Sequence, residues 1–463
     1  MSSAPAIALD DGPNRTFIGH PRGLFFLAFT EAWERFSYYG MAALLVLYMV
    51  NQLLLPGHIE HVAGFAAFRG MIEGAFGPLS TQALASQIFG LYSGFVYFTP
   101  VLGGWLGDRI GQRNAVVLGA LSMSAGHLAM AFDRSFLLAL LLLIIGSGLL
   151  KGNISAQVGS VYPPADEARR TRGFAIFSTA INFGAVAGPL VCGFLGQRYG
   201  WHIGFGTAAL FMLGALVTYL SGYRHLPARV ERKARSAAPL TSDQRKAVAA
   251  LIATMAIVVF AYIAYYQLAN VLPVWLEQHA DLNAGGFVIP IPWFYSIDPL
   301  VSILSVPALF ALWSRQERRS GREPPALAKI ATGAFIAAAA NLVLVAAILL
   351  SPGRVPWFWP VLYCAIQGVG FMYFWPTLLA LVSRAAPAKI NATMMGVSFL
   401  TLFVANNLIG RIGTYYEKMS PAAFWSLHAA IGAAGGLLML LFARPLGRAL
   451  EPKPSVQQLG TSR

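Results

Sequence analysis

Two carboxylates and one guanidinium lie within five residues of each other near the start of this 463-residue chain. Glu31, Glu34 and Arg35 occur in the run TEAWERFSYYGM, which has apolar residues on both sides. On a helix, Glu31 and Arg35 share one face, and Tyr38 continues it. Pairing with a cation and binding of a proton compete at a carboxylate in apolar surroundings. The spacing therefore places a guanidinium beside carboxylates that can bind either a cation or a proton.

The helix that holds these residues is predicted to cross a membrane. Its apolar flanks, 23–29 and 42–50, give it the length needed to span a bilayer core of roughly 30 Å. Three charges inside such a span oppose its insertion by on the order of 8 kcal/mol. Charges inside membranes commonly have a functional role, which favours a working site. The alternative is a permanent buried ion pair that only orients helices.

Twelve apolar segments have the length of a membrane span. They lie at about 24–54, 84–107, 114–132, 136–158, 172–197, 203–223, 247–277, 294–314, 327–351, 356–383, 391–415 and 422–444. An even number of spans puts both termini on one side of the membrane. The sequence thus predicts an all-α integral membrane protein.

The distribution of basic residues predicts which side is cytoplasmic. Of 33 Lys and Arg, two lie within spans and six on one side; all others lie on the opposite side, with both termini. This positive-inside bias places both termini in the cytoplasm and explains the net charge of +14 without a nucleic-acid partner. Membrane lipids are the expected surroundings. The two cysteines, Cys192 and Cys364, lie in apolar segments, so neither a disulfide framework nor a metal site is expected.

The longest interruption divides the spans six and six. The predicted parts are a cytoplasmic N-terminal tail, a six-helix bundle, a cytoplasmic linker, a second six-helix bundle and a cytoplasmic C-terminal tail, at 1–22, 23–224, 225–246, 247–445 and 446–463. No signal peptide is recognised ahead of the first span. In the outer loop at 56–81 a short interfacial helix is expected.

A loop motif agrees with this plan. The run GGWLGDRIGQR at 103–113 resembles the G-x-x-x-D-R-x-G-x-R loop of the major facilitator superfamily, whose two six-helix bundles bind substrate near mid-membrane. The resemblance implies that Asp108, Arg109 and Arg113 form a conformational latch at the cytoplasmic helix ends. The alternative is a basic turn that follows the positive-inside rule.

The first span narrows the resemblance to one family. Its ExxERFxYYG pattern, at 31–40, resembles the signature of the proton-dependent oligopeptide transporters (the POT family), and similar family segments run from about residue 20 to 445. Among these segments is GLLKGNIS at 148–155, which contains Lys151. The resemblance implies that Glu31, Glu34 and Arg35 exchange salt bridges with Lys151 as protons arrive and substrate binds. The proton is the coupling ion, and no other cofactor is expected.

Three positions depart from the family pattern for zwitterionic peptides. By spacing, Ala42 stands where these members carry an arginine, Tyr266 where they carry a glutamate, and Phe371 where a glutamate receives the peptide amine. Trp375 replaces a small neighbour. Such a site loses charge-assisted hydrogen bonds, worth about 1.5–3 kcal/mol each, and gains aromatic area. We expect Tyr266, Phe371 and Trp375 to bind substrate.

Uncharged polar residues complete the expected substrate site. The family resemblance places five of them along the central cavity, namely Tyr38, Tyr39, Tyr97, Asn153 and Asn182. Their hydrogen-bonding groups suit a peptide backbone or another polar solute. The alternative is that each only bridges helices. Asp298 is either a second protonation site or a residue of the outer interface, and His127 is expected to be packed and hydrogen-bonded.

The sequence therefore predicts a monomeric, multi-pass, proton-coupled importer of di- and tripeptides or peptide-like solutes in a bacterial cytoplasmic membrane. The alternative is a carrier of a non-peptide organic solute, which the uncharged residues Ala42, Tyr266 and Phe371 favour. A membrane-embedded enzyme is disfavoured because His58 and His61 are the only clustered candidates and have no zinc-ligand spacing. A sensor is disfavoured because the linker and tail leave no room for a signalling domain.

Overall fold

The computed structural model describes residues 16–163, 166–226 and 239–450. Within these ranges the chain forms twelve long helices and two short ones. The helices of the first half are α1 (Arg22–Tyr48), α2 (Phe65–Phe76), α3 (Thr81–Ile110), α4 (Gln112–Ala129), α5 (Phe136–Ser160), α6 (Glu167–Tyr199) and α7 (Trp201–Gly222). Those of the second half are α8 (Ser242–Asn270), α9 (Leu272–His279), α10 (Phe294–Ser320), α11 (Ala326–Leu350), α12 (Phe358–Ala385), α13 (Asn391–Gly413) and α14 (Pro421–Leu450).

Six very short strands lie in the connections. They are β1 (Thr16–Phe17), β2 (His20–Pro21), β3 (Ala280–Asp281), β4 (Asn283–Ala284), β5 (Phe287–Val288) and β6 (Val355–Pro356). Strands β1 and β2 pair antiparallel, as do β4 and β5, whereas β3 and β6 pair in parallel. The register places Ala280 opposite Val355, so the β3–β6 pair joins the segment after α9 to the segment before α12.

Each of the twelve predicted spans overlaps one long helix, and the span at 247–277 also includes most of the short helix α9. Ten of these helices are long and apolar enough to cross a membrane by length and composition, and α3 and α4 complete the twelve. The predicted span at 247–277 was too long, because the helix breaks and α9 begins separately at Leu272. Pro273 lies in the first turn of α9, where its missing N–H costs little, whereas within a continuous helix it would remove a backbone bond.

The expected helix in the first outer loop is α2. Of its twelve residues only Phe65 and Ile72 are buried. Beyond its end, the Leu79 amide donates to Glu73 Oε1 at 3.1 Å, and Arg69 Nε lies 3.0 Å from the same oxygen. The backbone bond from Leu79, helped by Arg69, lowers the pKa of the Glu73 carboxyl. These bonds tie the loop back onto α2.

The chain divides into two compact units. The first comprises Met1–Thr81 and Phe98–Arg232, and the second comprises Gln82–Tyr97 and Lys233–Arg463. The tail, linker and bundle limits given above stay predictions. Of those segments, residues 1–15, 227–238 and 451–463 lie outside the described part of the chain.

In the first unit, glycines let α6 approach the backbone of α1 closely. A Cβ on Gly188 would lie 2.3 Å from the Phe36 carbonyl oxygen, and one on Gly184 would lie 2.4 Å from that of Ala32. With contacts this short, a side chain at either position requires the backbone of α1 to move. The close approach buries the face of α1 that carries its charged residues, because Gly184 also lies against Arg35.

This packing predicts a loss of stability from one added methyl group. We expect Gly188→Ala to lower the unfolding free energy by about 1–3 kcal/mol, because the Phe36 backbone must move to admit the methyl group. Unfolding of the detergent-solubilised protein by heat or denaturant measures the effect. Gly206→Ala in α7 is the matched control, since a Cβ there meets nothing within 4 Å. Equal behaviour of the two variants would contradict the assigned packing.

The second unit has an aromatic core near α9, where Trp275 and Trp425 are fully buried with ring centroids 6.1 Å apart. Tyr363 contacts Trp425 at 5.6 Å. The two cysteines of the chain are buried separately, Cys192 in α6 and Cys364 in α12, each with no exposed surface and each a free thiol.

Candidate functional site

The three charged residues of the first span lie on α1, which contains no glycine or proline between Gly23 and Gly40. Glu31, Glu34 and Arg35 are 4%, 0% and 7% exposed, so all three charges are buried. Arg35 Nε lies 3.1 Å from Glu31 Oε1 and also forms an ion pair with Glu34 Oε2. One guanidinium thus holds both carboxylates, as the helical spacing predicts.

Lys151 of α5 joins these residues. Its Nζ is buried and lies 4.7 Å from the centroid of the Tyr38 ring, and Arg35 Cζ lies 5.5 Å from the same centroid. The Lys151 ammonium interacts electrostatically with Arg35, Glu34 and Glu31. The alternative in which this lysine extends to the membrane surface is therefore not supported. We call Glu31, Glu34, Arg35 and Lys151 the acid–base cluster.

The acid–base cluster is balanced in formal charge but incompletely hydrogen-bonded. Two carboxylates face two cations. Among the described residues, Glu31 Oε2, Glu34 Oε1 and Arg35 Nη2 are buried without a hydrogen-bond partner. Buried polar groups normally have partners, and their absence calls for an explanation. The two carboxylate oxygens can accept a proton, and Arg35 Nη2 can donate to a polar ligand, without first breaking another hydrogen bond.

In the second unit, α8 and α12 bring together Tyr266 and Phe371, which by spacing replace charged family positions, and Trp375, which replaces a small residue. Tyr266 lies beside Tyr262 and Tyr265, Phe371 stacks on Tyr265 at 5.2 Å, and Trp375 meets Tyr262 at 5.5 Å. Phe374 contacts both Tyr262 and Tyr265. These six residues form the aromatic cluster: Tyr262, Tyr265, Tyr266, Phe371, Phe374 and Trp375. The role of Tyr266, Phe371 and Trp375 in binding substrate stays a prediction.

Asp298 of α10 lies against this aromatic cluster. It is 7% exposed, its Oδ2 accepts a hydrogen bond from Tyr265 at 2.7 Å, and its Oδ1 is buried without a partner among the described residues. Of the two alternatives for Asp298, exposure at the outer interface is therefore not supported. Tyr262 and Tyr265 were missed by the sequence reasoning. Tyr262 lies four residues before Tyr266 and three before Tyr265, a spacing that could have indicated neighbours on the helix surface.

The Tyr265 bond predicts an asymmetric effect of two conservative substitutions. We expect Tyr265→Phe to lower the unfolding free energy by about 1.5–3 kcal/mol, because it leaves the buried carboxyl of Asp298 without its donor. Asp298→Asn is the control, since its amide oxygen can still accept from Tyr265. We expect it to cost less, and denaturant unfolding of both variants measures the difference. A larger loss in Asp298→Asn would contradict this interpretation.

The expected cavity residues differ in what they contact. Asn153 is buried, and its Nδ2 donates to the carbonyl oxygens of Gly103 at 3.0 Å and Leu149 at 2.8 Å, which favours the helix-bridging alternative. Tyr38 is buried beside the two cations, and Tyr39 meets its ring edge-on at 5.3 Å. Tyr39, Tyr97 and Asn182 are half-buried. Of these, Tyr97 belongs to the second unit and the others to the first.

The two arginines among the three expected latch residues stack on aromatic rings. Arg109 Cζ lies 3.7 Å from the Trp105 ring centroid, and Arg113 Cζ lies 4.9 Å from that of Tyr223. Asp108 is exposed on the last turns of α3. Cation–π contacts of this kind hold both guanidinium groups near their helix ends. The latch role itself stays a prediction.

A polar network near the ends of α1 and α7 was missed by the sequence reasoning. Asp133 accepts a hydrogen bond from Tyr48 at 2.5 Å, and His58 Nδ1 lies 2.8 Å from its other oxygen. His202 Nε2 lies 3.5 Å from Asp133 and 3.2 Å from Gln52. His58 thus pairs with Asp133 and not with His61. In the described ranges, no group of three or more His, Cys, Asp and Glu residues could hold a metal ion. His127 is fully buried, but neither ring nitrogen has a hydrogen-bond partner in the described residues, so only its packing agrees with expectation.

The sequence of this chain is similar to those of known membrane transporters. The family model of the major facilitator superfamily matches residues 24–410. The chain belongs to the major facilitator superfamily. The twelve-helix fold expected for it is confirmed, and so is the expectation that it is a transporter rather than an enzyme.

The relatives of this superfamily member include peptide transporters. It is 28% identical to a di-/tripeptide transporter of Lactococcus lactis subsp. cremoris over 93% of this chain and 97% of the relative. It is also 28% identical to the peptide transporter YePEPT of Yersinia enterocolitica, over 94% and 96%. The crystal structure of the peptide transporter POT in complex with sulfate superposes with a TM-score of 0.82 at 28% identity, covering 95% of this chain and 98% of that one. The resemblance seen in the first span is confirmed.

Proposed function

We propose that this chain is a proton-coupled symporter that imports di- and tripeptides or peptide-like small solutes across a bacterial cytoplasmic membrane by alternating access. The acid–base cluster is the observation that carries the proposal. Two helices of a membrane-spanning unit bury two carboxylates against two cations around one tyrosine ring. Such an arrangement is costly to insert, and a transporter that uses a proton gradient gains from it.

The charge balance of the cluster suggests how a proton could act. Protonation of Glu31 or Glu34 removes one negative charge and leaves the cluster with a surplus positive charge. Arg35 or Lys151 is then freed from one carboxylate and can bind an anionic group of the substrate. Binding of a proton and of a substrate carboxylate thus favour each other, as symport requires.

The printed descriptions of related proteins support the substrate class. One curated relative is a di-/tripeptide transporter, and solved POT structures similar to this chain contain alafosfalin or 5-aminolevulinic acid. The latter structure superposes with a TM-score of 0.80 at 25% identity and covers 94% of this chain. Substrates with an amine and an acidic group are therefore the first class to test. We further propose that the proton is the coupling ion, that no other cofactor takes part, and that one chain is the functional unit.

One observation favours a second candidate, a carrier of a non-peptide organic solute. Tyr266 and Phe371 of the aromatic cluster stand, by spacing, where other family members carry charged residues, and Asp298 accepts a hydrogen bond from Tyr265 of the same cluster. Stacking and cation–π contacts suit a planar or cationic solute better than a short aliphatic peptide.

Uptake by the purified protein in liposomes tests the proposal. With an inward proton gradient we expect labelled di-alanine to accumulate, and we expect a protonophore to abolish accumulation. Competition by unlabelled di- and tripeptides against aromatic amines and organic acids separates the two candidates. Accumulation without any gradient would refute symport. Inhibition only by the non-peptide solutes would favour the second candidate.

A further inference from the structure

A cavity of about 970 Å³ lies in the second unit, where the ends of four helices meet. Its walls come from α10, the start of α11, the last turns of α12 and the last turns of α14. By the predicted topology these helix ends face the cytoplasm. The volume lies at the upper end of the range for small-ligand sites, about 300–1,000 Å³. We call it the basic pocket.

Three guanidinium groups line the basic pocket without partners. They belong to Arg384 of α12 and to Arg444 and Arg448 of α14. In the described part of the chain, no ion pair or hydrogen bond of these side chains is found. The remaining charges cancel, because the Lys329 ammonium forms an ion pair with Glu323 and lies 3.9 Å from the Trp313 ring centroid. The pocket therefore carries a surplus of positive charge.

The basic pocket adjoins apolar surface that is exposed in the protein alone. Phe310, which lines the pocket, is 59% exposed. The exposed surface continues along α10 at Leu304, which is 67% exposed, and along α14 at Leu441, which is 71% exposed. In a chain that crosses a bilayer, such residues contact acyl chains. A ligand of this pocket thus meets positive charge at one end and hydrocarbon at the other.

We propose that the basic pocket binds an anionic phospholipid of the cytoplasmic leaflet. Its headgroup phosphate pairs with Arg444, Arg448 and Arg384, and its acyl chains lie along Phe310 and the exposed faces of α10 and α14. A lipid is favoured over a soluble phosphate ester because the apolar surface adjoins the pocket. Basic pockets among spanning helices on the cytoplasmic side are suited to acidic headgroups. This inference does not depend on the transported solute.

Lipid binding by variants of the full chain tests the proposal. The double variant Arg444→Gln/Arg448→Gln is compared with the matched control Arg318→Gln/Arg319→Gln, whose arginines are exposed at the end of α10 and do not line the pocket. Native mass spectrometry of the delipidated protein with phosphatidylglycerol or phosphatidylcholine measures retained lipid. We expect the affinity for phosphatidylglycerol to fall on the order of tenfold in the pocket variant only.

Two further arms keep this test decisive. The conservative variant Arg444→Lys/Arg448→Lys keeps the charge, so we expect most of the binding to remain, and thermal unfolding checks that each variant is folded. Glycerol 3-phosphate at millimolar concentration should not displace the phosphatidylglycerol. An equal loss in the control pair, equal retention of phosphatidylcholine, or displacement by glycerol 3-phosphate would each overturn the proposal.

Discussion

Lys151→Ala is expected to abolish accumulation of di-alanine driven by a proton gradient. Without this lysine, two buried carboxylates face one guanidinium, and a bound proton is then needed at all times to keep the cluster neutral. A proton that is never released cannot couple a gradient to transport. Uptake by proteoliposomes with an acidic exterior measures the effect, and Glu34→Gln is expected to behave alike.

The control for this result is another lysine on the same chain. Lys246 is exposed and its Nζ lies 3.9 Å from Asp243, so Lys246→Ala removes the same group without touching the acid–base cluster. We expect it to transport as the unchanged protein does. Unaltered accumulation by Lys151→Ala, in protein that unfolds at the usual temperature, would falsify the coupling role of the cluster.

Arg35→Gln is expected to give the largest loss of stability of any single substitution considered for this site. Removing one partner from a buried ion pair leaves a charge without compensation, which costs about 3–5 kcal/mol. Here one guanidinium serves two carboxylates, of which Glu34 has no exposed surface. Denaturant unfolding in mixed micelles measures the free energy.

A second substitution can test whether charge is the cause. In Arg35→Gln/Glu34→Gln, one carboxylate and one ammonium remain, so formal charge is again balanced. We expect the double variant to recover at least half of the stability lost in Arg35→Gln. In a double-mutant cycle this recovery appears as a non-additive interaction energy between the two residues. Additive losses in the double variant would instead indicate that lost packing of the Arg35 side chain dominates.

Periodicity was sufficient to predict the helices and the pairing of Glu31 with Arg35, which share a face of α1 at a spacing of four residues. The place of Lys151 beside them came from the family resemblance, because the spacing within α5 does not determine which residues of α1 it meets. The hydrophobic pattern could not locate the break before α9, since Leu272 and Trp275 continue the apolar run on both sides of Pro273. Helix breaks of this kind depend on backbone geometry, which apolar patterns do not report.

Contacts between helices distant in sequence were much harder to predict. The bond from Tyr265 to Asp298 joins α8 to α10, and the spacing within either helix does not determine which residues of the other it meets. The same holds for Arg384 and Arg444, which meet at one pocket and which the sequence analysis counted only among the basic residues of the cytoplasmic side. Asn153 is a third case, because its polar side chain suited a substrate site but hydrogen-bonds to the backbone of α3 and of its own helix.

The two units differ in how they treat buried charge. The first balances two acids with two bases around Tyr38, whereas the described ion pairs of the second unit include none with Asp298. If the substrate carries an amine, we expect Asp298, which accepts a hydrogen bond from Tyr265 of the aromatic cluster, to be its acidic partner. Chemical variation of the cargo is therefore expected to depend mainly on the second unit, and proton coupling on the first.

The burial of Cys192 and Cys364 has a practical consequence for spectroscopy. A thiol must be reached by a reagent before its thiolate can react, and neither of these is exposed. A single cysteine introduced at an exposed position, for example by Arg319→Cys, can therefore be labelled with a maleimide dye or a spin label. The native thiols are not expected to react. The unmodified chain can serve directly as the background for fluorescence and paramagnetic resonance studies of its motions.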